Sequence, residues 1–167
     1  KHVIVGISGG ITAYKSAEIV RRIQDQGAEV RVVMTAAATE FIRPLTLQAL
    51  TGHPVHTNLL DEEAEAAMGH IELARWADLL LIAPATANFI SSMVHGAADS
   101  LLGAVYLATS AKVAVAPAMN RAMWSHPATM ENIAMLRSRG ATVIDPDNGP
   151  QACGDLGPGR LQQPALI

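Results

Sequence analysis

Charge and cysteine are both scarce in this sequence, and each scarcity removes a class of protein. One thiol, Cys153, cannot close an internal disulfide, so a disulfide-stapled secreted scaffold is excluded and a reducing compartment is the simpler expectation. No Cys/His cluster shows metal-ligand spacing, and His2, His53, His56, His95 and His126 match no motif, so no metal is expected. The 12 Lys and Arg against 15 Asp and Glu leave a formal charge of -3 without a basic run, which offers nucleic acid no footprint. Apolar runs such as 79–83 and 113–116 fall far short of the ~20 residues that a membrane helix needs. No signal peptide is recognisable ahead of the first strand, and a cytoplasmic protein without a membrane partner is expected.

Apolar side chains, by contrast, are abundant. Hydrophobic residues make up 50% of the chain and charged ones 16%, against roughly 25% charged in an ordinary globular domain, so polar surface is short. The apolar surplus is expected to meet other subunits. A length of 167 residues suits one domain with a real core and a search for one site.

Short apolar segments alternate with helical spacing. Residues 3–8 read as a buried strand stopped by Gly9-Gly10, 12–26 as a helix ending at Gly27, and 30–34 as the next strand. A helix through 41–50, a polar stretch over 51–68, a short helix over 70–76 and a strand over 79–83 follow. A long helical zone over 88–109 leads to a strand at 113–116; Pro127 opens a helix over 128–139, and 142–144 is the last expected strand. The tail over 145–159, with three prolines, four glycines and three aspartates, reads as a loop. Alternation of this kind predicts an α/β fold: a flavodoxin-like, doubly wound parallel sheet in three αβα layers.

In such sheets ligands gather beyond the carboxyl ends of the strands. Ser8-Gly9-Gly10-Ile11-Thr12 lies at such an end and opens a helix, where glycines permit close approach and the helix start attracts an anion. A tight structural turn would use the same residues. A dinucleotide fingerprint is excluded, since the loop reads Gly6-Ile7-Ser8-Gly9-Gly10, the second strand ends at Thr35, and Glu29 stands at its wrong end. Lys15-Ser16 does not follow glycine as a nucleoside triphosphatase loop demands. A mononucleotide such as FMN remains compatible.

Five short segments occur in order: Ser8-Gly9-Gly10-Ile11, Gly69-His70-Ile71-Glu72-Leu73, Ala83-Pro84-Ala85-Thr86-Ala87-Asn88, Pro117-Ala118-Met119-Asn120 running to Met123-Trp124, and Ala152-Cys153-Gly154-Asp155. Together they resemble, over essentially the whole chain, the phosphopantothenoylcysteine decarboxylase family of homo-oligomeric flavin-containing cysteine decarboxylases. The resemblance implies one FMN-binding decarboxylase domain over 1–167, with a phosphopantothenate-cysteine ligase domain following in the full-length protein. It implies an FMN phosphate held by the Ser8, Gly9, Gly10 and Ile11 loop, and further flavin contacts from Thr35, Ala87, Asn88, Phe89, Ile90 and the backbone of Met119. It also implies a homotrimer with the flavin between subunits, and a dodecamer as one further assembly of the full-length protein.

Each candidate catalytic residue has an ordinary structural reading beside the one the resemblance implies. His70 opens a short amphipathic helix and could merely cap it; the resemblance implies an imidazole beside FMN that orients the substrate thiol or takes its proton. Asn120 could cap the turn before Met123 and Trp124; the resemblance implies that it binds the substrate carboxylate, with Ala118 and Met119 alongside. An amide can donate to a carboxylate without the strong attraction of arginine, and so still release it as carbon dioxide. Cys153 could be inert; the resemblance places it on a mobile flap as the proton donor to the last intermediate. Met119, Met123 and Trp124 read by default as core packing.

The reaction so implied is decarboxylation of the small phosphorylated cysteine conjugate 4'-phosphopantothenoylcysteine to 4'-phosphopantetheine, for coenzyme A biosynthesis. It runs through oxidation to a thioaldehyde, loss of carbon dioxide and re-reduction of the enethiolate. Alternatives are a peptidyl-cysteine decarboxylase of lantibiotic type and a non-catalytic flavoprotein regulatory subunit. Leu161 and Gln163 depart from the family's methionine and acidic residue; leucine preserves the volume.

Overall fold

The computed structural model describes residues 1–59 and 69–167. Of the polar stretch expected over 51–68, residues 60–68 lie outside the described residues. Five parallel strands, β1 (His2–Ile7), β2 (Glu29–Met34), β3 (Leu79–Ala85), β4 (Lys112–Pro117) and β5 (Thr142–Val143), pair in the order β2-β1-β3-β4-β5. The chain leaves β1 in one direction to reach β2 and later returns to its other side with β3. The carboxyl ends of β1 and β3 therefore form the switch point at which ligands of such sheets bind.

Alternate strand residues feed opposite faces, which explains the nearly continuous apolar runs. Ile4, Leu80, Ile82 and Val115 pack on one side under α4 (His70–Trp76), α5 (Ala87–His95), α6 (Leu101–Ala108) and α8 (Pro127–Ser138), against Leu73, Ile90, Leu102 and Ile133. Val3, Val5 and Ile7 face the other way, toward α1 (Ser16–Asp25) and α3 (Pro44–Thr51), with Val20 and Leu47. Full burial of each such side chain contributes about 1.5–3 kcal/mol. The fit is close at Gly6, where a Cβ would stand 2.6 Å from Leu102 Cδ1 and 2.7 Å from Ile82 Cδ1.

The helices differ from the sequence expectation where local chemistry outweighs apolar spacing. The helix expected over 12–26 begins as a 3-10 turn, Ile11–Lys15, before α1. The one expected over 41–50 starts only at Pro44, as α3, because proline is tolerated in a first turn and not inside a helix, and the short α2 (Ala36–Thr39) ahead of it was not expected. The zone 88–109 is two helices: Gly96 ends α5 at φ 68, and the Ser100 hydroxyl caps α6 by accepting from Gly103 N at 3.1 Å. After α7 (Arg121–Ser125) and α8, the supposed loop of 145–159 holds an antiparallel hairpin, β6 (Asp147–Pro150) with β7 (Leu156–Arg160). Residues 142–144 are therefore not the last strand. The hairpin escapes pattern reading because it pairs glycine with glycine, Gly149 with Gly157, instead of alternating apolar and polar residues.

Candidate functional site

The carboxyl edge of the sheet is organised by one buried hydroxyl. Ser8 is 5% exposed, and its Oγ donates to Pro84 O at 2.9 Å while accepting from Thr86 N at 2.9 Å. Thr35 Oγ1 donates to Ser8 O at 3.0 Å, so the ends of β1, β2 and β3 are held together by two short polar side chains, Ser8 and Thr35. Thr35 and Thr86 also cap α2 and α5, accepting from Ala38 N at 3.3 Å and Phe89 N at 3.2 Å. Gly9 and Gly10 follow at φ 117 and 86, a conformation that side-chain-bearing residues rarely adopt. A Cβ at Gly10 would meet nothing nearer than Thr86 Cγ2 at 3.9 Å, so the glycine keeps an open approach to the loop backbone.

The second half of the site is the loop after β4. Asn120 caps α7: its Oδ1 accepts from Ala122 N at 2.8 Å. Only the amide oxygen can accept from a backbone N–H, so this bond fixes which way the side chain faces. Nδ2 then points at the hairpin turn, 3.0 Å from Asp155 Oδ2, 3.3 Å from Cys153 Sγ and 3.4 Å from Gln151 Oε1. Asn120 thus caps through Oδ1 while Nδ2 stays a donor turned to the hairpin, so the cap leaves its donor atom available.

Gln151 joins the hairpin to this loop. Its Oε1 accepts from Arg121 N at 3.0 Å, and its Nε2 donates to Pro158 O at 3.0 Å and Met119 O at 3.4 Å. Met119 N donates to Gly159 O at 2.8 Å, and a Cβ at Gly159 would collide with Met119 O. The Asp155 carboxyl lies below its ordinary range because the Asn120 amide and the Cys153 thiol donate to it, with the Arg121 charge adding to the effect. The thiol itself is exposed.

A cavity of about 550 Å³ lies between the two halves, lined by Gly10, Ile11, Ala118, Met119, Asn120 and Cys153 among others. Six of the residues singled out from the sequence thus share one space. Ser8 and Gly9 are buried behind it. Ala87 and Asn88 form the accessible start of α5, whereas Phe89 and Ile90 are 4% and 0% exposed and belong to the core. His70 starts α4, whose far end leads into the amino end of β3, and it does not line the cavity. Met123, expected in the core, is 49% exposed, while Trp124 packs against the core as expected.

Sequence reading missed Gln151, Arg121 and the cavity residues Tyr14, Lys15 and Arg160. Gln151 adjoins the Ala-Cys-Gly-Asp segment, but no periodicity or spacing marks its bond to Arg121, 30 positions away. Among the described residues no group of three or more His, Cys, Asp or Glu could hold a metal ion.

The chain matches the Flavoprotein family over residues 1–167. It is 58% identical over 167 residues to the coenzyme A biosynthesis bifunctional protein CoaBC of Vibrio vulnificus, covering 100% of this chain and 42% of that protein. The chain therefore spans about two fifths of the length of the curated relatives it matches. Among solved structures, a PPC decarboxylase variant complexed with pantothenoylaminoethenethiol superposes with a TM-score of 0.87 at 34% identity, covering 99% of this chain and 93% of that one. The FMN-dependent cysteine decarboxylase SpaF superposes at 0.82 with 33% identity, covering 99% and 93%.

Proposed function

The chain belongs to the Flavoprotein family and, within it, to the phosphopantothenoylcysteine decarboxylases, and on that premise we propose that it binds FMN and decarboxylates 4'-phosphopantothenoylcysteine to 4'-phosphopantetheine. One observation carries the reading: an amide donor and a thiol, Asn120 Nδ2 and Cys153 Sγ, stand 3.3 Å apart on the wall of the cavity that the Gly10-Ile11 loop closes opposite.

The residues at the sheet edge fit a flavin mononucleotide. The Gly9-Gly10 loop leaves its backbone approachable, and the first N–H groups of the following turn have no intrahelical acceptor, which suits a phosphate. Thr35, Ala87, Asn88 and the Met119 backbone would border the ring system; Phe89 and Ile90 would support it from the core. FMN, when bound, supplies a two-electron acceptor and donor beside the substrate.

The chain's own residues perform the rest. Asn120 Nδ2 donates to the substrate carboxylate and orients the bond that breaks. His70 takes or holds the thiol proton. Cys153 holds a proton on Sγ and delivers it to the carbon that has lost carbon dioxide, so one proton replaces one CO₂ with no net redox change. The hairpin covers the reacting atoms and excludes water.

The reading extends to a homotrimer. Ile11 and Tyr14, both lining the cavity, are each 61% exposed, which suits a site completed by another copy. A neighbouring subunit is also the natural source of the His70 that one chain alone leaves outside the cavity. No helix among the described residues is long and apolar enough to cross a membrane, and the free Cys153 thiol supports a reducing, cytoplasmic setting.

The test is to record the visible spectrum of the purified protein, add 4'-phosphopantothenoylcysteine, and follow carbon dioxide and 4'-phosphopantetheine by mass spectrometry. A yellow protein that forms both supports the reading. A yellow protein inert on this substrate but active on a peptide ending in cysteine overturns the substrate, and a colourless protein that takes up no added FMN overturns the whole.

A further inference from the structure

Two N–H bonds of Asn120 Nδ2 face three acceptors already, and the nearest and only charged one is Asp155 Oδ2 at 3.0 Å. Oδ1 of the same side chain is committed to Ala122 N at 2.8 Å, so the amide cannot turn over to offer other atoms. A substrate carboxylate that is to sit on Asn120 must therefore compete with a carboxylate of the protein itself. Two carboxylates on one neutral amide repel each other, which favours the departure of one.

We propose that Asp155 is a built-in occupant of the carboxylate seat on Asn120, displaced when the substrate carboxylate arrives. This rests on the reading of Asn120 as that seat. The displaced group has somewhere to go, because Arg121 Nε stands 3.9 Å from Asp155 Oδ2 on a side chain that is 55% exposed. The movement also has a pivot. Gly154 separates Asp155 from Cys153, its φ is +89, and a Cβ there would meet nothing within 4 Å. Arrival of a carboxylate at Asn120 is thereby coupled to the position of the thiol two residues from Asp155. Asp155 acts here as a positioning and specificity residue: a ligand without a carboxylate gains nothing by displacing it.

The experiment measures binding of two ligands to the FMN-loaded protein by calorimetry. One is 4'-phosphopantothenoylserine, which keeps the carboxylate and carries a hydroxyl where the reactive thiol would be; the other is 4'-phosphopantetheine, which has no carboxylate. Asp155→Ala is expected to bind the serine analogue about five- to tenfold more tightly than wild type, the net scale of one ordinary hydrogen bond, with phosphopantetheine unchanged. Asp155→Asn keeps the size and hairpin contacts of the native residue but not its charge, and is expected to show a smaller gain in the same direction. A purely structural role would weaken both ligands alike. Wild type binding both ligands, with no selective gain in either variant, overturns this proposal alone. Wild type binding neither overturns the functional reading and this proposal with it.

Discussion

The two halves of the site are built by opposite means. The seat at the ends of β1 and β3 is buried and continuous with the sheet: Ser8 is 5% exposed and bonds to Pro84 and Thr86, 76 and 78 residues away. The hairpin that carries Cys153 is mostly exposed, rich in glycine and proline, and attached through polar groups of Asn120, Gln151 and Arg121. A cofactor that stays through many turnovers needs a rigid seat, and rigidity comes from elements that cannot move without breaking the core. If the hairpin is the cover proposed above, its attachment by a few bonds worth about 0.5–1.5 kcal/mol each suits one that opens for each substrate.

The largest expected effect breaks the hairpin half at its centre. Asn120→Asp keeps the cap, since a carboxylate oxygen can accept from Ala122 N, but removes the donor and sets a charge against Asp155. Turnover with 4'-phosphopantothenoylcysteine should fall by about 100-fold or more, the scale for loss of one preorganised donor, while the flavin spectrum is retained. Comparable turnover in the variant would remove Asn120 from the chemistry.

Ser8→Ala should injure the other half in a different manner. It leaves the half-buried Thr86 N–H without its acceptor, at about 1–3 kcal/mol, while Pro84 O keeps only the Ser8 backbone N–H at 3.2 Å, so the melting temperature and FMN retention should fall together. A protein that melts as wild type and keeps its flavin would show that the seat does not depend on this hydroxyl.

Gln151→Ala probes the contrast more finely, because it loosens the hairpin without touching the sheet. A loss of about tenfold in kcat/KM with under about 1 kcal/mol change in stability is expected, since the bonds it loses are part-exposed. A stability loss as large as that of Ser8→Ala would mean that the hairpin belongs to the core.

The smallest effect concerns pH. Asp155 has its folded-state pKa lowered, first by the Asn120 hydrogen bond, then by Cys153 and by Arg121. Its contribution to hairpin docking is therefore fully present above the ordinary aspartate value, about 4, and is lost as pH falls through the lowered one. The Asp155 carboxyl and the Asn120 side-chain amide resonances should titrate together below that value. Separate midpoints, or one above it, would disconnect the two residues.

Much of the fold was legible because it follows from local rules. Strands buried on both faces must be continuously apolar, and Gly9-Gly10, Gly27 and Gly140 mark turns that other residues adopt only under strain. The order of those signals suffices for a parallel α/β sheet, and the short segments around Gly10, Asn120 and Cys153 single out residues that line one cavity. The hairpin left no such trace. Its strands are held by backbone pairing and by a glutamine that ties them to Met119 and Arg121, 32 and 30 residues away, and long-range polar pairing has no period to read.

The sequence by itself determined the alternating elements, the absence of a dinucleotide loop and the chemical inventory of amide, thiol and imidazole. Tertiary structure alone decided that Asn120 caps with one atom and donates with the other, that Phe89 and Ile90 support the site from the core, and that Asp155 shares an amide with Cys153. The reason is directional: apolar burial depends on how many such residues recur at a given period, whereas a hydrogen bond depends on where one atom points.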